Sequence, residues 1–246
     1  MLSVRPGKEI YEQEGGWFHA RWHFSFDEYQ DPNWMGVGAL RVFNDDRIIG
    51  GAAWPMHPHR DIESLTYVVR GDFTHADSLG NNGHLYAGGA QVMDFGSEGA
   101  LHSERNGSPR ETLRFIQLWI LPSDPRLVSG VQQRQYEAAD RGDRWLQIMG
   151  PAGEDGLDLA QDARVLVSRL RAGRSLDFVL PDDRGGYLYL IDGAGRFDDH
   201  DVAAGDAGVM TGPHGLALEA TEDSELILVD VPLRFRRVGI WERARV

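Results

Sequence analysis

The sequence predicts an all-β protein organised as two similar halves. Three observations carry that expectation. The apolar segments are short and bounded by glycine-rich turns, the best helix candidates are brief, and one half repeats the order of the other.

In chain order the apolar runs LTYVV (65–69), RFIQLWIL (114–121), VLVSRL (165–170), YLYLI (187–191) and ELILVDV (225–231) read as strands. They are rich in β-branched and aromatic residues, which suit a pleated, packed surface. Turn signals fall between them: GNNG (80–83), RGD (141–143) and DDRGG (182–186). Short strands at this spacing indicate a sandwich or barrel rather than strand–helix–strand units. Helix is expected only around 132–139 and 157–162.

The repeat aligns SLTYVVRG (64–71) with GYLYLIDG (186–193), so that Tyr67 meets Tyr189 and Gly71 meets Gly193. AGGAQVM (87–93) then meets AGDAGVM (204–210), and FGSEGALHSE (95–104) meets TGPHGLALEA (211–220). A duplicated β-domain explains both halves. The join falls around 125–150, and a division at 130/131 gives domains 1–130 and 131–246.

Composition removes whole classes of function. The 246 residues include no cysteine, which excludes disulfides, thiolate nucleophiles and thiolate-held zinc or iron–sulfur sites. Any metal must take His, Asp or Glu. A net charge of −13 argues against direct nucleic-acid binding. The basic tail, with Arg234, Arg236, Arg237, Arg243 and Arg245, is expected to lie over the acidic body of the protein or of a neighbouring subunit. No apolar run approaches the roughly 18–20 residues of a membrane span, and the N-terminus lacks the apolar stretch of a signal peptide, so a cytoplasmic protein with no membrane partner is expected. Nucleophile-elbow, P-loop and dinucleotide-binding turns are missing, and the acidic FDDHD (197–201) lacks calcium-loop spacing.

One constellation carries chemistry. His57 and His59 are two apart and share a strand face; so do His102 and Glu104 in LHSER. Two adjacent antiparallel strands would bring all four together. Three neutral imidazoles and a carboxylate leave open positions on an octahedral ion, which suits Fe(II), Mn(II), Co(II), Ni(II) or Cu(II) holding a substrate or O2.

These residues also carry a family likeness. Gly51, His57, His59, Glu63 and Gly71 approximate the first cupin motif with one extra residue, and Gly99, His102 and Asn106 follow the end of the second. HPHRDIESLTYVVRG, HADSLGNNG and GALHSE resemble the pirin family of two-domain cupins, as do GWFHARWHFSF and DPNWMGVGALRVFNDD nearer the N-terminus. The resemblance spans nearly the whole chain and loosens after residue 125. It implies two tandem cupin barrels with one divalent metal, Fe(II) foremost, with Zn as a further option, held by His57, His59, His102 and Glu104. Many other cupins would use Glu63, but an extended chain puts it about 13 Å along the strand from His59. Glu63 and Asp61 are therefore expected outside the ligand set. By the repeat, His57 and His59 fall on Val179 and Pro181, and His102 and Glu104 on Leu218 and Ala220. The second barrel is expected to hold no metal, with His200 and His214 as turn residues.

Some pirin relatives cleave flavonols such as quercetin with O2 and release carbon monoxide, and the resemblance implies the same reaction here. Glu104 would then be both ligand and base. Trp54, Met93, Phe95 and Phe26, with Trp22 and Phe24, are candidates for the walls of an apolar slot. The alternative is a regulatory protein acting through protein–protein contacts, since eukaryotic members of the family are metal-dependent partners of transcription factors.

Overall fold

The computed structural model describes residues 1–244. Among them, each half consists of a seven-stranded and a four-stranded sheet. In the first half the large sheet runs Gly130–Gln135, Gly89–Phe95, Ile62–Arg70, Leu113–Ile120, Leu40–Ile48, Phe18–Trp22, Tyr11–Glu14. Its small sheet runs Ala53–His59, Ala100–Asn106, Asp72–Asp77, Asn82–Tyr86. The second half repeats the plan. Arg184–Asp192 lies between Ala207–Thr211 and Ser224–Pro232, and Ser175–Leu180 pairs with His214–Ala220. All five sequence-predicted strands are present.

The repeat has a backbone cause. Gly71 and Gly193 follow equivalent strands with φ of +98° and +95°, and Gly88 and Gly205 turn with φ of +88° and +98°. A side chain at either of the first two would meet backbone within 2.9 Å.

The large sheets of the two halves share one core. Leu65, Tyr67 and Val69 from one side join Tyr187, Tyr189 and Ile191 from the other. The intervening residues Ser64, Thr66 and Val68 are buried on the opposite face, inside their own barrel. Burial on both faces is why these strands read as unbroken apolar runs. Polar pairs cross this interface: Tyr67 donates to Glu225, Tyr189 to Asp45, and Arg114 binds both oxygens of Asp45 at 2.9 and 2.7 Å.

Three features differ from the sequence-based expectations. Neither proposed helix forms. Residues 132–135 continue a strand against Gly89–Phe95, followed by a short 3-10 turn at Ala138–Arg141, and Leu157–Leu159 is a strand parallel to Leu146–Pro151. Helix-forming residues such as Gln132 and Ala138 yield here to strand pairing and to Tyr136, whose ring is buried and whose hydroxyl donates to Ile148 O at 2.9 Å. The sheets also do not divide at 130/131. Gly130–Gln135 completes the first large sheet, while Leu2–Arg5 crosses over to pair with the Ala207–Thr211 strand of the second. Each half thereby covers an edge of a large sheet.

The third difference is register. Leu218 lies opposite Leu176, and Leu216 opposite Phe178, as His102 lies opposite His57 and Ala100 opposite His59. The counterparts of His57 and His59 are thus Leu176 and Phe178, three residues before the Val179 and Pro181 given by ungapped alignment. The shift arises because the turn into the next strand is one residue longer in the second half (181–183) than in the first (60–61), and the strands pair with a different offset. Of the arginine-rich tail, Arg245 lies outside the described residues, and Arg237 donates to Ala244 O at 2.9 Å.

Candidate metal centre and its cavity

The Ala53–His59 and Ala100–Asn106 strands pair antiparallel with His57 directly opposite His102. Alternation puts His59 on the same face. One ligand atom from each of these three histidines lies within 4.8 Å of the other two. His57 Nδ1 is 2.8 Å from Pro55 O, which leaves its Nε2 for the cluster. His102 is 1 % exposed, and neither ring nitrogen has a hydrogen-bond partner. Burial, with the neighbouring His57, His59 and His75, holds His102 down to about 2; burial and His57 hold His59 at about 4. These are neutral imidazoles with lone pairs free, and an unbonded buried imidazole calls for a ligand. The donor set fits a divalent transition ion.

Glu104 sits beside this triad. The Ala100–Asn106 strand runs regularly against Asp72–Asp77 and keeps Glu104 on the face of His102, while Ala53–His59 takes up an extra residue between Trp54 and His57; Glu104 Oε1 lies 3.5 Å from His102 Nε2. Burial pushes Glu104 up to about 8. Its neighbour is Gln117, whose Nε2 donates to Glu104 Oε1 at 3.3 Å and to Ser64 Oγ at 2.8 Å, while its own Oε1 accepts from Thr66 Oγ1 at 2.9 Å. The amide is held at both ends and so fixes the carboxyl. Behind His102, the buried His75 contacts Asp77 (3.3 Å) and Gln91 (3.4 Å), and Gln133 donates to Gln91 at 2.7 Å. The interior of the first barrel is polar around the triad. The corresponding interior of the second, with Leu176, Phe178, Leu216, Leu218 and Ala220, is an apolar cluster.

A cavity of about 390 Å³ opens onto His57, His59 and Glu104. Its walls include Trp22, Phe26, Trp54, Phe115 and Trp119, with Asn44, Asp46 and Gln117 among them. Rings run from wall to triad without a break: Trp22 to Phe26 at 5.2 Å, Phe26 to Trp119 at 5.3 Å, Trp119 to His59 at 4.8 Å. Of the slot residues expected from sequence, Trp54, Phe26 and Trp22 line this cavity. Phe95 lies behind the histidines, 5.1 Å from His59 and 5.0 Å from His102, and Met93 is buried in the same cluster with Ile62 and Leu121. Phe24 packs on Tyr187 between the barrels.

Glu63 and Asp61 have other tasks. Glu63 is fully buried and accepts hydrogen bonds from the backbone N–H groups of Ala160 (2.6 Å) and Gln161 (3.0 Å) in the second half. Asp61, at φ +56° in the turn after His59, accepts from Ile240 N at 3.2 Å through its side chain and from Trp241 Nε1 at 2.7 Å through its carbonyl. His214 pairs with Asp198 at 2.9 Å, and His200 is exposed at a strand start. Sequence reading missed Gln117, Asn44 and Asp46. Their signal was present: a glutamine inside RFIQLWIL, and an Asn-Asp-Asp run continuing the RVF strand.

Comparison with known proteins agrees with this architecture. Residues 4–120 match the Pirin family model, and residues 147–231 match that of the quercetinase C-terminal cupin domain. A pirin-like protein of Caulobacter vibrioides is 38 % identical over 232 residues, spanning 94 % of this chain and 99 % of its own. Quercetin 2,3-dioxygenase of Escherichia coli is 33 % identical over 234 residues, spanning 94 % and 99 %. The crystal structure of a bacterial pirin from Escherichia coli in complex with nickel(II) superposes with a TM-score of 0.87 at 32 % identity, covering 94 % of this chain and 99 % of that one. In sequence, in fold and in the His cluster of its first barrel, this chain belongs to the pirin family of two-domain cupins.

Proposed function

We propose that the protein is a metal-dependent dioxygenase that cleaves flavonols such as quercetin with O2 and releases carbon monoxide. The observation that carries this reading is the buried, unbonded His102 beside His57, His59 and Glu104 at an aromatic-walled cavity. One divalent transition ion, Fe(II) foremost among Mn, Co, Ni, Cu and Zn, held by His57, His59, His102 and Glu104, would supply an electrophilic site for the substrate 3-oxygen and reactivity toward O2. The residues of the chain do the rest. Trp54, Trp22, Phe26 and Trp119 receive flat rings and keep water from the reacting face. Glu104, buried and restrained by Gln117, takes the proton of the 3-hydroxyl.

The test is oxygen uptake and carbon monoxide release with quercetin after loading the purified protein with each metal in turn. One O2 consumed and one carbon monoxide formed per flavonol is the expected result. Absence of both with every metal overturns the reading. A protein partner captured from lysate and lost on chelation would then favour the regulatory alternative.

A further inference from the structure

Two polar side chains on the cavity wall have no hydrogen-bond partner among the described residues. The Leu40–Ile48 strand sends Asn44 and Asp46 to one face, and both line the cavity that holds the His cluster. Asn44 is 4 % exposed and Asp46 5 %, and the Oδ1 atom of each is buried without a hydrogen bond. Asp45, between them, shows what this strand does with a carboxylate serving structure alone. It faces the other barrel and takes hydrogen bonds from Arg114 and Tyr189. Buried polar groups left without a partner in a native protein are few, and side chains of this kind lining a concave site are candidates to orient what enters it.

The neighbours define what fits. Asn44 lies opposite Trp22 on one side and Gln117 on the other; Asp46 lies opposite Ala20 and Phe115. Trp22, Phe115 and Gln117 line the cavity with them, so an aromatic ring received by Trp22 or Phe115 comes beside both polar side chains. We infer that Asn44 and Asp46 form a subsite that hydrogen-bonds free hydroxyl groups on a ring of the substrate and disfavours the same ring when those groups are alkylated. This rests on the reading of the cavity as a flavonol site and adds a specificity determinant to it.

The experiment measures binding under nitrogen to the nickel-loaded protein, so that turnover does not interfere, with quenching of cavity tryptophan fluorescence as the signal. Quercetin is compared with its 3′,4′-dimethyl ether and its 5,7-dimethyl ether. The wild type should bind quercetin at least about tenfold more tightly than one of the ethers, the effect of one good hydrogen bond. Asp46→Leu should bring that ratio close to one with unchanged nickel content, and Asp46→Asn, which keeps an acceptor oxygen, should restore most of it. If Asp46→Leu does not fold, Asn44→Leu makes the same comparison. A ratio near one for both ethers in the wild type, or a ratio the substitutions leave untouched, overturns the subsite. The ratio and oxygen uptake are read separately. Uptake without discrimination refutes the subsite alone, whereas discrimination without uptake keeps the hydroxyl-reading subsite and refutes the dioxygenase.

Discussion

A histidine whose two nitrogens are both buried and unbonded is a costly way to fill a barrel, and His102 is explained only if something else occupies its lone pair. His57→Ala and His102→Ala should therefore lose most bound metal while keeping their far-UV circular dichroism, because the core shared by the two large sheets and the apolar cluster of the second barrel are untouched. Glu104 makes a second prediction, in which sign matters. Burial raises the carboxyl to about 8 in the metal-free protein, so it carries a proton at pH 7 and has lost it at pH 9.5. As a metal ligand Glu104 would give up that proton on metal uptake. Calorimetry in buffers of different ionisation enthalpy should show wild type releasing close to one proton more than Glu104→Gln at pH 7, and no more at pH 9.5. Equal release at pH 7 would contradict a protonated Glu104 that joins the ligand set. The same substitution should lower flavonol turnover by at least ~10²-fold even with saturating metal.

At the scale of elements, the site depends on strands and turns tied down by the other half of the molecule. The Glu63 side chain caps two backbone N–H groups of the second barrel, and Asp61, two residues after His59, is gripped by Ile240 and Trp241. Glu63→Gln leaves one of those N–H groups facing an amide N–H and should cost about 1–3 kcal/mol in denaturant unfolding, with metal content unchanged. Loss of metal at full stability would instead place Glu63 among the ligands. What was legible at this scale follows the physics. Strands buried on both faces announce themselves as apolar runs, and paired histidines on one strand face keep their two-residue spacing. The 132–139 segment was not legible because its pairing partner, Gly89–Phe95, lies some forty residues away in sequence. The offset of Ser175–Leu180 was hidden for a related reason: turn length and strand pairing set register, and neither shows in an ungapped repeat.

Over the whole molecule, duplication produced two barrels of one plan with opposite interiors. The first keeps a polar interior of Gln117, Thr66, Gln91 and Gln133 around three histidines; the second is closed by Leu176, Phe178, Leu216 and Leu218. The sequence already indicated this asymmetry, because His102 and Glu104 align with Leu218 and Ala220. It did not reveal the exchanged edge strands or the interlocked large sheets that make the two halves share a core. Among the described residues, His214 has only Asp198 as a partner and His200 is exposed, so the second half assembles no ligand set. The measurement that bears most directly on this account is the metal content per chain after loading and desalting, for wild type, His102→Ala and His214→Ala together. The account predicts one divalent transition ion in wild type and His214→Ala and almost none in His102→Ala; two ions per chain, or one that survives the loss of His102, would contradict it.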